Sequence, residues 1–173
     1  MRSLFLAIAL LGCSASAQTN TAAKIEEAFG VKLGEKLDRK LLVTAETNAA
    51  YVLIHFSPVN PFPDIPLKDY KAFSTVSDQR IHQISINTTL GSKGQMTEMA
   101  GKILASLKSK YGNPTKSDIF DGFGSAEWRQ GKREIYLSWT DTISFDLFLT
   151  YLDDEMRDQA KAEQKRAEAN SGL

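Results

Sequence analysis

The chain has 173 residues, with 21 Lys plus Arg against 21 Asp plus Glu, so its formal net charge is zero. Hydrophobic residues at 42% and charged residues at 24% fit a globular protein, and the length suits one domain with appendages. A balanced chain lacks the positive field that binding a phosphate backbone needs, so a nucleic-acid role is disfavoured.

The first element is apolar: MRSLFLAIALLGCSASAQT. Arg2 precedes a short apolar run from Ser3 to Leu11, well below the roughly 20 residues of a membrane span. Ala15-Ser16-Ala17 fits a small-residue cleavage site. Residues 1–17 therefore read as a secretory signal, and the mature protein as periplasmic or secreted. The same stretch has an alternative reading. Leu10-Leu11-Gly12-Cys13 resembles the lipobox of bacterial lipoproteins, in which Cys13 would be lipidated and would anchor the protein to a membrane. Cys13 is the only cysteine. A soluble mature form would have none, which removes disulfides, thiolate–metal sites and thiol nucleophiles.

Residues 18–30 read as a polar lead-in with a short helix from Lys24 to Phe29, broken by Gly30 and Gly34. A single domain over 31–152 follows. Leu41–Ala45 and Tyr51–Phe56 read as two strands of a hairpin. HFSPVNPFPDIPLKDY comes next and holds four of the five prolines, Pro58, Pro61, Pro63 and Pro66. Prolines fix φ and withhold N–H donors, so this segment is a stiff connection and not an interior strand. Its Phe62, Asp64 and Ile65 are candidates for contact with a partner.

Tyr70–Ser77 and Arg80–Thr88 read as a second hairpin with its turn at Asp78-Gln79. Alternation puts His82, Ile84 and Ile86 on one face and Ile81 on the other. The clearest helix opens at Ser92, with Gln95 three residues on as in a capping box. Met96, Met99, Ala100, Ile103, Leu104, Leu107 and Tyr111 then form one apolar stripe. Gly112 and Pro114 end it.

Three more strands are expected: Ser125–Gln130, Glu134–Trp139 and Ile143–Tyr151. Trp128 and Trp139 read as core, while Tyr136 and Phe148 alternate onto the opposite face as candidates for partner contact. Residues 153–173 are rich in charge and alanine. They read as a solvated helix leaving the domain, with a frayed tail. The order predicts an α+β fold: an antiparallel sheet of about six or seven strands, one long amphipathic helix on one face, and a charged C-terminal helix.

The search for chemistry yields little. His55 and His82 fall in different strands, without HxH or HExxH spacing, and read as packed strand residues. Gly91-Ser92-Lys93-Gly94 fails the GxSxG and Walker patterns, and helix capping explains Ser92. Asp118, Asp121 and Glu127 are close in sequence, but Asp121-Gly122 is a turn signal and Glu127 lies opposite Trp128. The expectations are no catalytic residue, no cofactor and no metal site.

Several landmarks resemble a group of small, mostly uncharacterised exported proteins of Gram-negative bacteria. They are Phe29-Gly30-x-x-Leu33-Gly34, the proline segment, Lys110-Tyr111-Gly112-x-Pro114 and the charged C-terminal helix. The resemblance implies an exported bacterial protein and carries no activity. The reading is therefore a non-enzymatic protein-binding module, inhibitor- or immunity-like, using the proline loop and an exposed sheet face. The alternatives are an envelope structural or assembly factor, anchored at Cys13 or tethered by the last helix, and a small hydrolase using His55 or His82.

Overall fold

The computed structural model describes residues 22–48, 50–62, 65 and 67–171. β1 (Glu27–Ala28) and β2 (Val31–Lys32) form a small hairpin. β3 (Leu42–Thr47), β4 (Val52–Phe56), β5 (Tyr70–Ser74) and β6 (Ile81–Leu90) form a meander, which α1 (Lys93–Tyr111) follows. A second meander comprises β7 (Lys116–Phe120), β8 (Phe123–Gln130), β9 (Arg133–Thr140) and β10 (Phe145–Asp153). The helix α2 (Asp154–Ser171) comes last.

The two meanders join into one antiparallel sheet in the order β3-β4-β5-β6-β10-β9-β8-β7. The last strand of each meets the other at the centre, paired from Phe145 with Leu90 to Leu152 with Gln83. The expected α+β class holds. The strand of this sheet absent from the sequence reading is β7, whose five residues KSDIF are exposed on both faces. An edge strand buries too little to show apolar alternation.

The helix α1 covers one face, called here the first face. Its stripe of Met96, Met99, Ala100, Ile103, Leu107 and Tyr111 is buried against β6, β8, β9 and β10. Each large apolar side chain so buried contributes about 1.5–3 kcal/mol. Ser92 Oγ accepts from Gln95 N–H, and Gln95 Oε1 accepts from Gly91 N–H, so the reciprocal bond of the capping box reaches one residue further back. Gly112, at φ +81°, donates to Lys108 O and closes the helix. Trp128 donates to Gly112 O at 2.8 Å, which fastens that end to the sheet. Trp139 is also buried, and its ring lies on the backbone of Gly124, where a Cβ would come within 2.4 Å of it. Only glycine fits that strand position.

The other half of the first face is covered by the lead-in and the proline segment. The expected helix over Lys24–Phe29 is instead the β1–β2 hairpin. Phe29 and Gly30 both take positive φ, +56° and +84°, which suits a two-residue hairpin turn and breaks a helix. A Cβ on Gly30 would lie 2.9 Å from the Val59 Cβ, so glycine lets the hairpin tip meet the proline segment. Phe29 then packs edge-on against Phe62, Tyr70 and Tyr151 at 5.6, 5.3 and 6.0 Å. Two side chains flanking the Gly131-Lys132 turn hold the lead-in. Gln130 accepts from Ile25 N–H and donates to Ala23 O. Arg133 donates to Ile25 O, Leu33 O and the Asp153 carboxylate.

Three further expectations change. Ile143 precedes β10 and is 97% exposed, so it is outside the strand alternation. The register shifts between Phe73 and Ser74 put a bulge at His82. Ile81 therefore joins Ile84 and Ile86 in the core, while the His82 ring turns toward Phe73 at 6.5 Å. The helix α2 does not leave the domain freely. Asp153 caps it by accepting from Met156 N–H, Ala160 and Leu152 are buried, and Ser77 donates to Glu163. Its first half lies across the end of the second face.

Candidate functional site

The uncovered part of the second face is built by alternation. On β10, Leu147, Leu149 and Tyr151 enter the core, which leaves Phe148 and Thr150 on the other side. On β9, Ile135, Leu137 and Trp139 are buried, which leaves Tyr136 and Ser138. Register then sets the neighbours. Phe148 stands between Ser138 and Asn87, and Tyr136 between Thr150 and Glu127. The hairpin turn Asp121-Gly122 pairs Phe120 with Phe123, and their rings stack at 4.9 Å. Phe120, Phe123 and Tyr136 are 59%, 46% and 41% exposed. With Ser125, Ser138 and Thr140 they line a shallow concavity of about 250 Å³.

This end of the face is aromatic and hydroxyl-rich. The other end is charged and closed. Arg129 meets the carboxylates of Glu127, Glu134 and Asp154, and Lys116 also reaches Glu127. Burial pushes the Glu134 carboxyl up. Burial also raises that of Glu127, but the hydrogen bonds from Arg129 and Lys116 outweigh it and the net shift is downward. These ion pairs fasten the start of α2 to β8 and β9.

The structure brings Tyr136 and Phe148 to one face and places the loop candidates elsewhere. Ile65 is 8% exposed and belongs to the core, and Phe62 packs against that core through Phe29. The expectation that the proline loop displays these two side chains is corrected: it turns them inward. Asp64 and Cys13 lie outside the described residues. The sequence reading missed Phe120 and Phe123. Their signal was Phe-Asp-Gly-Phe, a two-residue turn that puts both flanking rings on one side of a hairpin.

The other chemical candidates fall apart in space or are occupied. His55 Nδ1 is 3.7 Å from Asp69, whose carboxylate also holds Lys71 at 2.6 Å. His82 is buried with both ring nitrogens unbonded among the described residues. Burial, and then the Arg157 charge, lower its pKa to about 4 against an opposing pull from Asp153. Lys93, which opens α1 between Gly91 and Gly94, is taken by Asp121 at 3.4 Å and Asp141 at 3.5 Å. Burial, and then the neighbouring Tyr111, push the Tyr151 phenol well above its ordinary range. Among the described residues no cluster of three or more His, Cys, Asp or Glu could hold a metal ion. No helix among them is long and apolar enough to cross a membrane.

The fold and the face define a class: an α+β protein whose eight-stranded antiparallel sheet has one face roofed and the other partly open. No family model matches the chain, and no curated protein or solved structure gives a match.

Proposed function

We propose that this is an exported, non-enzymatic protein-binding module, inhibitor- or immunity-like, that recognises its partner through the open end of the second sheet face. The observation that supports the reading is the group of exposed aromatics Phe120, Phe123 and Tyr136 beside half-buried Phe148. Large exposed aromatics on a preformed sheet lose little entropy on binding and supply most of the contact energy where they meet a pocket. The surrounding Ser125, Ser138 and Thr150 offer hydrogen bonds without the desolvation cost of charge.

A photo-crosslinking residue at Tyr136, in a cell-envelope fraction of the source bacterium, is expected to capture one discrete protein. The same residue at Lys108, on the outer side of α1, is expected to capture none. Adding Phe120→Ala and Phe148→Ala should weaken binding of the captured protein by at least about tenfold. Equal capture from both positions, or binding unchanged by the two alanines, would falsify the assignment.

A further inference from the structure

The first face holds a second concavity, away from α1. It is a groove of about 380 Å³ between β3, β4, β5 and the segment around Leu37. Leu42, Ala45, Val52 and Ile54 make its floor, because Ala45 pairs with Ile54 and Leu42 with Phe56 on the same side of the sheet. The groove lies at the β3 edge of the sheet, away from α1, which packs on β6, β8, β9 and β10. Thr47, Ser74 and Gln79 also line it, as do Lys36 and Arg39, both exposed and without an ion pair among the described residues. Neither neighbouring acid forms an ion pair with them. Glu35 pairs with Lys32, and the Asp38 carboxylate accepts from Lys40 N–H.

An apolar floor lined also by two cations that hold no ion pair is complementary to a molecule with an apolar chain and one anionic head. We infer that the groove binds a single-chain anionic amphiphile, a long-chain carboxylate, with its tail along Leu42, Ala45 and Ile54 and its head between Lys36 and Arg39. The tail displaces water from the floor, and the carboxylate accepts charge-assisted hydrogen bonds from both cations. A neutral head leaves those cations unpaired, and a cationic head is repelled. The site lies across the sheet from Tyr136 and does not depend on the partner face.

Isothermal titration of the purified protein with dodecanoate, dodecanol and dodecyltrimethylammonium, each below its micelle concentration, tests the inference. Dodecanoate should saturate one site, dodecanol should bind at least about tenfold more weakly, and the cation should not bind. Joint Lys36→Glu and Arg39→Glu, on an exposed segment, should weaken dodecanoate by about tenfold or more. Ala45→Trp, which fills the floor from an exposed edge position, should abolish binding while circular dichroism stays unchanged. Tyr136→Ala should bind dodecanoate as the parent does, so failure here and failure of the partner face are read separately. Equal binding of all three probes, or dodecanoate binding indifferent to both groove variants, overturns the inference.

Discussion

Burying an imidazole costs free energy unless its nitrogens find partners, and both nitrogens of His82 lack one among the described residues. The ring stays neutral because a charge there would be desolvated and would face Arg157, and its pKa falls from 6.5 to about 4. The folded pKa lies below the free value, so the unfolded chain takes up the proton first. Stability from this residue is therefore complete above about pH 6.5 and is lost as the pH falls toward 4. Each pH unit in that window costs about 1.4 kcal/mol at most, and partial solvent access reduces it. His82→Phe keeps the ring volume and removes the titration. Between pH 7 and pH 4.5 the parent should lose about 1–2 kcal/mol more than His82→Phe, measured by urea unfolding at both values. Parallel losses would show that the ring is solvated in the folded state. The sequence did not disclose this environment, because a bulge reverses the expected face of His82 and strict alternation places Ile81 wrongly. Bulges depend on what the neighbouring strand does, and no local pattern marks this one.

At the scale of elements, legibility tracks burial. The strand β10 was plain because Leu147, Leu149 and Tyr151 alternate against a full core. The helix α1 was plain because its stripe, cap and terminal glycine all agree. The edge strand β7 was missed, and the lead-in was read as a helix because its tertiary anchors lie more than 100 positions away, on Gln130 and Arg133. Those anchors carry a prediction. One guanidinium serves Ile25 O, Leu33 O and Asp153 together, at 3.2, 3.1 and 3.0 Å. Arg133→Met keeps the stem and strands all three acceptors, so it should destabilise the fold by about 2–3 kcal/mol. Amide exchange should accelerate first in the β1–β2 hairpin. Arg133→Lys should recover little, because a single ammonium cannot span three acceptors held by a planar fork. Full recovery by lysine would mean that charge alone matters at this position.

At the scale of the whole molecule, α2 decides how much of the second face is open. A freely solvated helix and a docked one make different predictions for truncation. From Gln164 to Asn170 the side chains of α2 are exposed or half-buried, whereas its first half packs on β6 and β10, with Ala160 buried, Met156 and Arg157 half-buried, and the Arg157 charge acting on His82. Removing residues 164–173 should therefore leave the melting temperature unchanged. Removing residues 154–173 takes away the helix that packs on β6 and β10 and frees Arg129 from Asp154, so it should uncover Leu152 and wet His82. Exposing one leucine alone costs about 1.5–3 kcal/mol, and for a domain of this size each kcal/mol moves the midpoint by about 2–4 °C. The longer deletion should lower the midpoint by roughly 5–10 °C. It should also erase the acid sensitivity assigned to His82, since a solvated imidazole titrates alike in both states. The two readouts together are diagnostic. A lower midpoint with the acid sensitivity retained would place the burial of His82 in the sheet and not under the helix, and no change in either would make α2 the free tether that its composition suggests.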